Sequence, residues 1–227
     1  MTRAVSNGLK KALFSDCGRW SLGECLTVNS LRFEKHLVIP VGMRLKSFPE
    51  LSVGTFRLRS FCEKDASLVF DAARDPYIPQ ITSIPQVPTA DSALAFVRRQ
   101  ISRFHDGEGY SFAIVRGEDD VACGQIGLWP DQSRLGVASV GYWLAPEARG
   151  KGAATASLLA ICDWGLTNAG VKEIELFVEE ANAPSIVVAE RAQFQFVRIV
   201  PNARSVNGQM LDMRLYVRSA VGLRKNP

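Results

Sequence analysis

The whole 227-residue chain has to be arranged around residues 140–159, which read VGYWLAPEARGKGAATASLL. Val140, Tyr142 and Trp143 favour pleated structure, Pro146 interrupts it, and the small residues and leucines that follow read as a helix. Between them lie Arg149, Gly150, Lys151, Gly152, Ala153, Ala154 and Thr155, a glycine loop that runs into a helix start. Glycines let a backbone approach a ligand with no Cβ in the way, and the first helical N–H groups have no partner within the helix. A phosphate at such a terminus gains about 0.3–1 kcal/mol from the helix dipole, and Arg149 and Lys151 add positive charge. The stretch reads as a diphosphate cradle.

Two common nucleotide signatures fail here. The loop is not G-x-x-x-x-G-K-[ST], and it is not G-x-G-x-x-G followed about 20 positions later by an acidic residue at the end of a strand. The spacing matches [RQ]-x-x-G-x-[GA] instead, with Arg149, Gly152 and Ala154 at the fixed positions. That hexapeptide resembles the acetyl-coenzyme A signature of the GNAT acetyltransferase superfamily. The flanking words GYWL-x-P-x-x-x-GKG-x-A-T and N-x-x-S-x-x-V-A-E-R (Asn182, Ser185, Val188, Ala189, Glu190, Arg191) resemble the ribosomal-protein, RimJ/RimL-type branch. The resemblance spans residues 55–217. It implies an α/β fold with a mixed, mostly antiparallel central sheet, helices on both faces and a splayed strand pair. Acetyl-coenzyme A would be the co-substrate, and no metal is implied.

Composition permits one domain with an appendage. The chain is 47% hydrophobic, enough for a sizeable core. It holds no apolar run of 18 residues and no signal-peptide pattern, so a cytoplasmic protein without membrane contact is expected. Cys17, Cys25, Cys62, Cys123 and Cys162 form no C-x-x-C pair, and His36 and His105 are the only histidines. That pattern argues against structural zinc and is read as reduced thiols. The net charge of +4 lies in residues 1–54, which carry eight Lys/Arg against four acidic residues, while residues 55–227 balance at nineteen each. Scattered charges without aromatic interleaving read as a solvated segment and give no nucleic-acid signature. Residues 1–54 are therefore read as an N-terminal extension, either an appendage or a mis-assigned start with Met43 as the alternative. Residues 55–220 would be the N-acetyltransferase domain and 221–227 a tail.

Periodicity and turn residues predict a first strand at 55–59, helices at 63–74 and 90–105, and strands at 110–116, 121–129 and 135–144. A central helix is expected over 150–169, with Ala154, Leu158, Ile161, Cys162, Gly165 and Ala169 as its buried stripe. A strand at 173–178, a helix at 184–192 and strands near 196–200 and 211–218 complete the order. Pro76, Pro79, Pro85 and Pro88 make 77–87 an irregular segment, which in this family helps wall the acceptor site. Arg98, Arg99 and Arg103 are expected on the solvated face of the second helix.

Direct acetyl transfer needs a neutral amine, a polarised thioester carbonyl and a thiolate that can leave. The resemblance places the pantetheine arm between strands 135–144 and 173–178, hydrogen-bonded by the backbone of Trp143 and Leu144 and by Asn182. It makes Ser185 the proton donor to the thiolate; both residues can also serve simply as turn or capping groups. Tyr216 and Trp129 read as core. Related sequences often carry carboxylates at two positions held here by Ser139 and Arg204, so no general base is assigned; Glu179 and Glu180 lie near the splay. Glycine is usual where this chain has Gln193. The reading is an N-acetyltransferase acting on a primary amine, with a protein or peptide N-terminus first and a small-molecule amine second. A non-catalytic acyl-coenzyme A sensor is the rival reading, and a homodimer is left open.

Overall fold

A computed structural model describes residues 47–206 and 208–220. The strands are β1 (Leu51–Val53), β2 (Phe56–Ser60), β3 (Tyr110–Arg116), β4 (Ala122–Pro130), β5 (Val137–Leu144), β6 (Glu173–Glu179), β7 (Gln195–Val206) and β8 (Gln209–Ser219). They form one eight-stranded sheet in the order β1-β2-β3-β4-β5-β6-β8-β7. Every neighbouring pair is antiparallel except β5 and β6. The helices are α1 (Ala66–Ala73), the single turn α2 (Ile78–Ile81), α3 (Ala90–His105), α4 (Ala153–Asn168) and α5 (Ala183–Arg191). The α/β sandwich with a mixed, mostly antiparallel sheet agrees with the expectation from sequence.

Side chains alternate along each strand, so the sheet separates two cores. Leu128, Val140, Ile174, Leu176 and Tyr216 pack with Leu158, Ile161 and Trp164 of α4 and Ala189 of α5. Ala113, Val115 and Trp143 face the other way, against Leu68 and Val69 of α1, Ile78 and Ile84, and Phe96 and Val97 of α3. Tyr216 is core, as read from the sequence, and Trp129 is buried.

The predicted starts of two regions shift. The folded domain begins before residue 55: β1 pairs with β2, and the Phe48 ring lies 4.7 Å from that of Phe112 and 5.3 Å from that of Phe104. Residues 1–46, including Met43, and the tail 221–227 lie outside the described residues. Helix α4 begins at Ala153 rather than at 150, because Gly150 and Gly152 take φ of +75° and +81° and cannot continue a right-handed helix. Its buried stripe keeps Leu158, Ile161, Cys162, Gly165 and Ala169, while Ala153 replaces Ala154 at full burial.

Two further expectations are corrected. Arg103 is buried rather than solvated: its guanidinium stacks over Trp129, 4.7 Å from the ring centroid, and donates to Gln100 Oε1 at 3.2 Å. The proline-rich segment contains α2, because Pro79 falls in a first turn, where proline is tolerated, and Asp75 accepts from the N–H groups of Tyr77 and Ile78. Gln193 has φ of +64°, the conformation a glycine adopts without cost. Among the described residues no helix is long and apolar enough to cross a membrane, and no group of His, Cys, Asp and Glu could hold a metal ion.

Candidate active site

The parallel pair β5 and β6 is short. Its register runs from Val137 opposite Glu173 to Val140 opposite Leu176 and stops, although both strands continue. Residues 141–144 and 177–179 thus diverge and open a gap in the middle of the sheet. This is the splay expected between these two strands.

Alternation decides which groups face the gap. Ala145 N donates to Cys123 O, and Val137 O accepts from Asp131 N, so odd-numbered residues of β5 direct their backbone groups toward β4. The backbone of Trp143 therefore bonds within the sheet, contrary to the expected role. Tyr142 and Leu144 present theirs to the gap. Leu144 O accepts from Nε and Nη2 of Arg149 at 3.2 and 3.0 Å. Trp143 contributes a buried side chain, whose Nε1 donates to Gln125 Oε1 at 2.9 Å; Gln125 in turn donates to Ser111 and Gln100.

The glycine loop fits an anion. The first helical bond of α4 runs from Ala156 N to Gly152 O, so the N–H groups of Ala153, Ala154 and Thr155 precede the ladder. A Cβ built on Gly150 or Gly152 would meet nothing within 4 Å, so the loop that leads into these N–H groups borders open space. Lys151 is exposed beside them. Arg149 behaves otherwise: its Nη2 pairs with Asp75 Oδ2 at 2.7 Å, and its N–H donates to Pro146 O. Its charge is committed to bracing the loop against the 75–88 segment. Burial alone would raise the Asp75 pKa, but hydrogen bonds from Ile78 N, Tyr77 N and Arg149 outweigh it and hold the carboxylate below its ordinary value.

Beyond the C-terminal end of β6, Asn182 caps α5, its Oδ1 accepting from Ser185 N at 3.1 Å. Ser185 sits by the hydroxyl of Tyr142, which is buried without a hydrogen-bond partner; burial raises the Tyr142 pKa and Ser185 offsets part of that rise. On the other face of the sheet the Tyr77 hydroxyl donates to Glu179 Oε2. Burial and the Glu179 carboxylate push the Tyr77 pKa well up, opposed by Arg204 and Asn182. Arg204 Nη2 donates to Ile81 O. Glu180 points away and pairs with Arg214 at 3.1 Å. The sequence does not single out Asp75 or Tyr142, although the strand alternation of β5 bears on the latter, and it reaches Tyr77 only as the first residue of the 77–87 segment expected to wall the acceptor site.

The model of the "Acetyltransferase (GNAT) domain" family matches residues 55–195. The chain belongs to this family. It is an acetyl-coenzyme A-dependent N-acetyltransferase, and the cradle accords with that co-substrate. The acetyltransferase is 24% identical over 159 residues to "Uncharacterized N-acetyltransferase p20" of Bacillus licheniformis, covering 70% of this chain and 89% of the relative. Its fold is similar to that of Mycobacterium smegmatis RimJ in complex with CoA-disulfide (TM-score 0.68, 22% identity, 78% of this chain and 89% of the other). A structure of RimL, the ribosomal L7/L12 alpha-N-protein acetyltransferase, in complex with coenzyme A, gives a TM-score of 0.66 at 20% identity, over 75% of this chain and 98% of the other.

Proposed function

We propose that this acetyltransferase modifies an α-amine at a protein or peptide N-terminus. The supporting observation is that Ser139 and Arg204 stand at the two positions where related sequences often carry carboxylates, so this chain has fewer acidic groups than those relatives with which to deprotonate a strongly basic amine. An α-amine with pKa near 7.8 is roughly 15% neutral at pH 7, whereas a lysine amine near 10.4 is about 0.04% neutral. Similarity to the RimL fold, whose protein acts on an N-terminus by name, agrees with this choice.

In this reading the N–H groups of Ala153, Ala154 and Thr155, with Gly150, Lys151 and Gly152, hold the diphosphate, and Tyr142 and Leu144 offer backbone groups to the pantetheine arm. Ser185, beside the buried Tyr142 hydroxyl, returns a proton to the departing sulfur. Asn182 sets the start of α5 and thereby the position of Ser185.

The test compares a lysine-free peptide with a free N-terminus against an N-acetylated peptide with one lysine, following thiol release across pH 6–9. The free N-terminus should be the better substrate at pH 7 by 100-fold or more, on the order of the ionisation difference. A better rate with the blocked lysine peptide would overturn the α-amine assignment. Tight binding of acetyl-coenzyme A with no release for any amine would favour the sensor reading.

A further inference from the structure

We propose that Glu179 is the group that receives the acceptor's ammonium and takes its proton, with Tyr77 holding the carboxylate in place. This assignment rests on the acetyl-transfer reading and names a residue that the family's usual carboxylate positions do not predict.

Strand β6 carries Glu173, Glu175 and Glu179 on one face, opposite the Ile174, Leu176 and Val178 that pack on α4. The carboxylates therefore look toward the side walled by Trp143, α1, α3 and the 75–88 segment, away from the cradle helix. Position along the strand separates them. Glu173 and Glu175 lie where β6 is still paired with β5. Glu175 is 6% exposed and gripped by both terminal nitrogens of Arg134, each at 2.7 Å. Its oxygens are occupied. Glu179 lies beyond the last paired residue, where the gap is open, and is only partly buried.

Its surroundings suit a cation. The Tyr77 hydroxyl donates to Oε2, which fixes the carboxylate while leaving Oε1 for a second donor. Tyr77 itself is anchored, because Asp75 accepts from its N–H at 2.8 Å. Arg204, from β7, brings a positive charge toward the Tyr77 hydroxyl, and its guanidinium is tied to Ile81 O. Asn182 contributes an uncharged amide beside the Tyr77 hydroxyl. Neighbouring Glu180 is neutralised by Arg214 of β8.

The chemistry balances. The ammonium gives one proton to Glu179, and through it to solvent. Nitrogen's electron pair then forms the C–N bond at the thioester carbonyl, and the C–S bond breaks with its pair on sulfur. A second nitrogen proton reaches that sulfur, leaving amide and thiol.

The experiment measures kcat and KM for the free N-terminal peptide, and coenzyme A affinity by calorimetry, in wild type, Glu179→Gln, Glu179→Asp, Tyr77→Phe and Glu180→Gln. Glu179→Gln should lose about 100-fold or more in kcat/KM, the usual scale for a positioned base. Its coenzyme A affinity should stay unchanged. Its KM deficit should narrow as pH rises past about 8, since the carboxylate attracts only the charged amine. Glu179→Asp should recover part of the rate, Tyr77→Phe should fall between, and Glu180→Gln should match wild type. Wild-type turnover with Glu179→Gln equally fast, or with a KM deficit independent of pH, overturns the assignment. Wild type that releases no thiol with any amine removes the acetyl-transfer reading itself, and this assignment with it.

Discussion

The cradle side of the gap is built from neighbours in sequence, whereas the proposed acceptor side is assembled from three distant pieces, the 75–88 segment, the end of β6 and β7. The cradle needs only the loop and first turn of α4, with Gly150 and Gly152 in left-handed conformations and Ala153, Ala154 and Thr155 presenting N–H groups. The acceptor side brings Tyr77 to Glu179 across 102 residues and Arg204 to Ile81 across 123. A motif can encode the first, because its spacing is its geometry. Only the folded sheet encodes the second.

The sharpest way to break this contrast is Gly152→Asp. It places a carboxylate where the cradle should hold phosphate, and a like-charge contact at 4 Å costs about 1–4 kcal/mol between bulk water and a protein surface. Coenzyme A affinity should fall about 100-fold in calorimetry while far-ultraviolet circular dichroism stays native. Because a Cβ at Gly152 meets no protein atom, Gly152→Ala should lose much less, mainly through strain at φ of +81°. Equal affinity in a folded Gly152→Asp protein would show that the cradle lies elsewhere.

The Asp75–Arg149 pair joins the two sides, so Asp75→Asn tests how separate they are. We expect a loss of about 1–2 kcal/mol, seen as a Tm lower by about 4 °C, with KM rising for acetyl-coenzyme A and amine together. Arg149→Ala should do the same, and the double variant should add little. The sign with pH follows from the depressed carboxyl. Its contribution is complete above the unfolded value near 3.9 and is lost as pH falls through the lower folded value. Proteolysis of the 75–88 segment should therefore accelerate below about pH 4 in wild type, with a weaker dependence in Asp75→Asn.

The smallest expected effect concerns α5, which carries Ser185. Gln193→Gly should relieve left-handed strain and raise stability by up to about 1 kcal/mol, with kcat unchanged. A fall in Tm would mean that the Gln193 side chain stabilises the turn by more than its backbone costs.

These contrasts explain what the sequence disclosed. Helix α3 and strand β3 were legible to the residue, because period and turn signals are local. The splay was legible through the resemblance, and Gly152 through the loop spacing. Arg149 looked like phosphate charge because proximity in sequence cannot show which way a long side chain turns; it turns to Asp75, whose burial no periodicity reveals. The same holds for Arg103: helical phase places it among arginines, and the Trp129 ring that covers it comes from β4. The backbone role expected of Trp143 fails because its odd position in β5 sends those groups to β4, a parity that only the register fixes. Glu179 and Glu180 are indistinguishable as adjacent acids in the sequence; their partners separate them, Tyr77 for the first and Arg214 for the second.

The long reach of the Tyr77–Glu179 contact also sets when that wall can exist during folding. Closing a loop of 102 residues costs more chain entropy than closing one of about ten, by roughly 2 kcal/mol. The cradle can thus take shape with its own helix, while the acceptor wall waits for β6 to find its place between β5 and β8. The loop and first turn of α4 are therefore expected to form before the Tyr77–Glu179 contact.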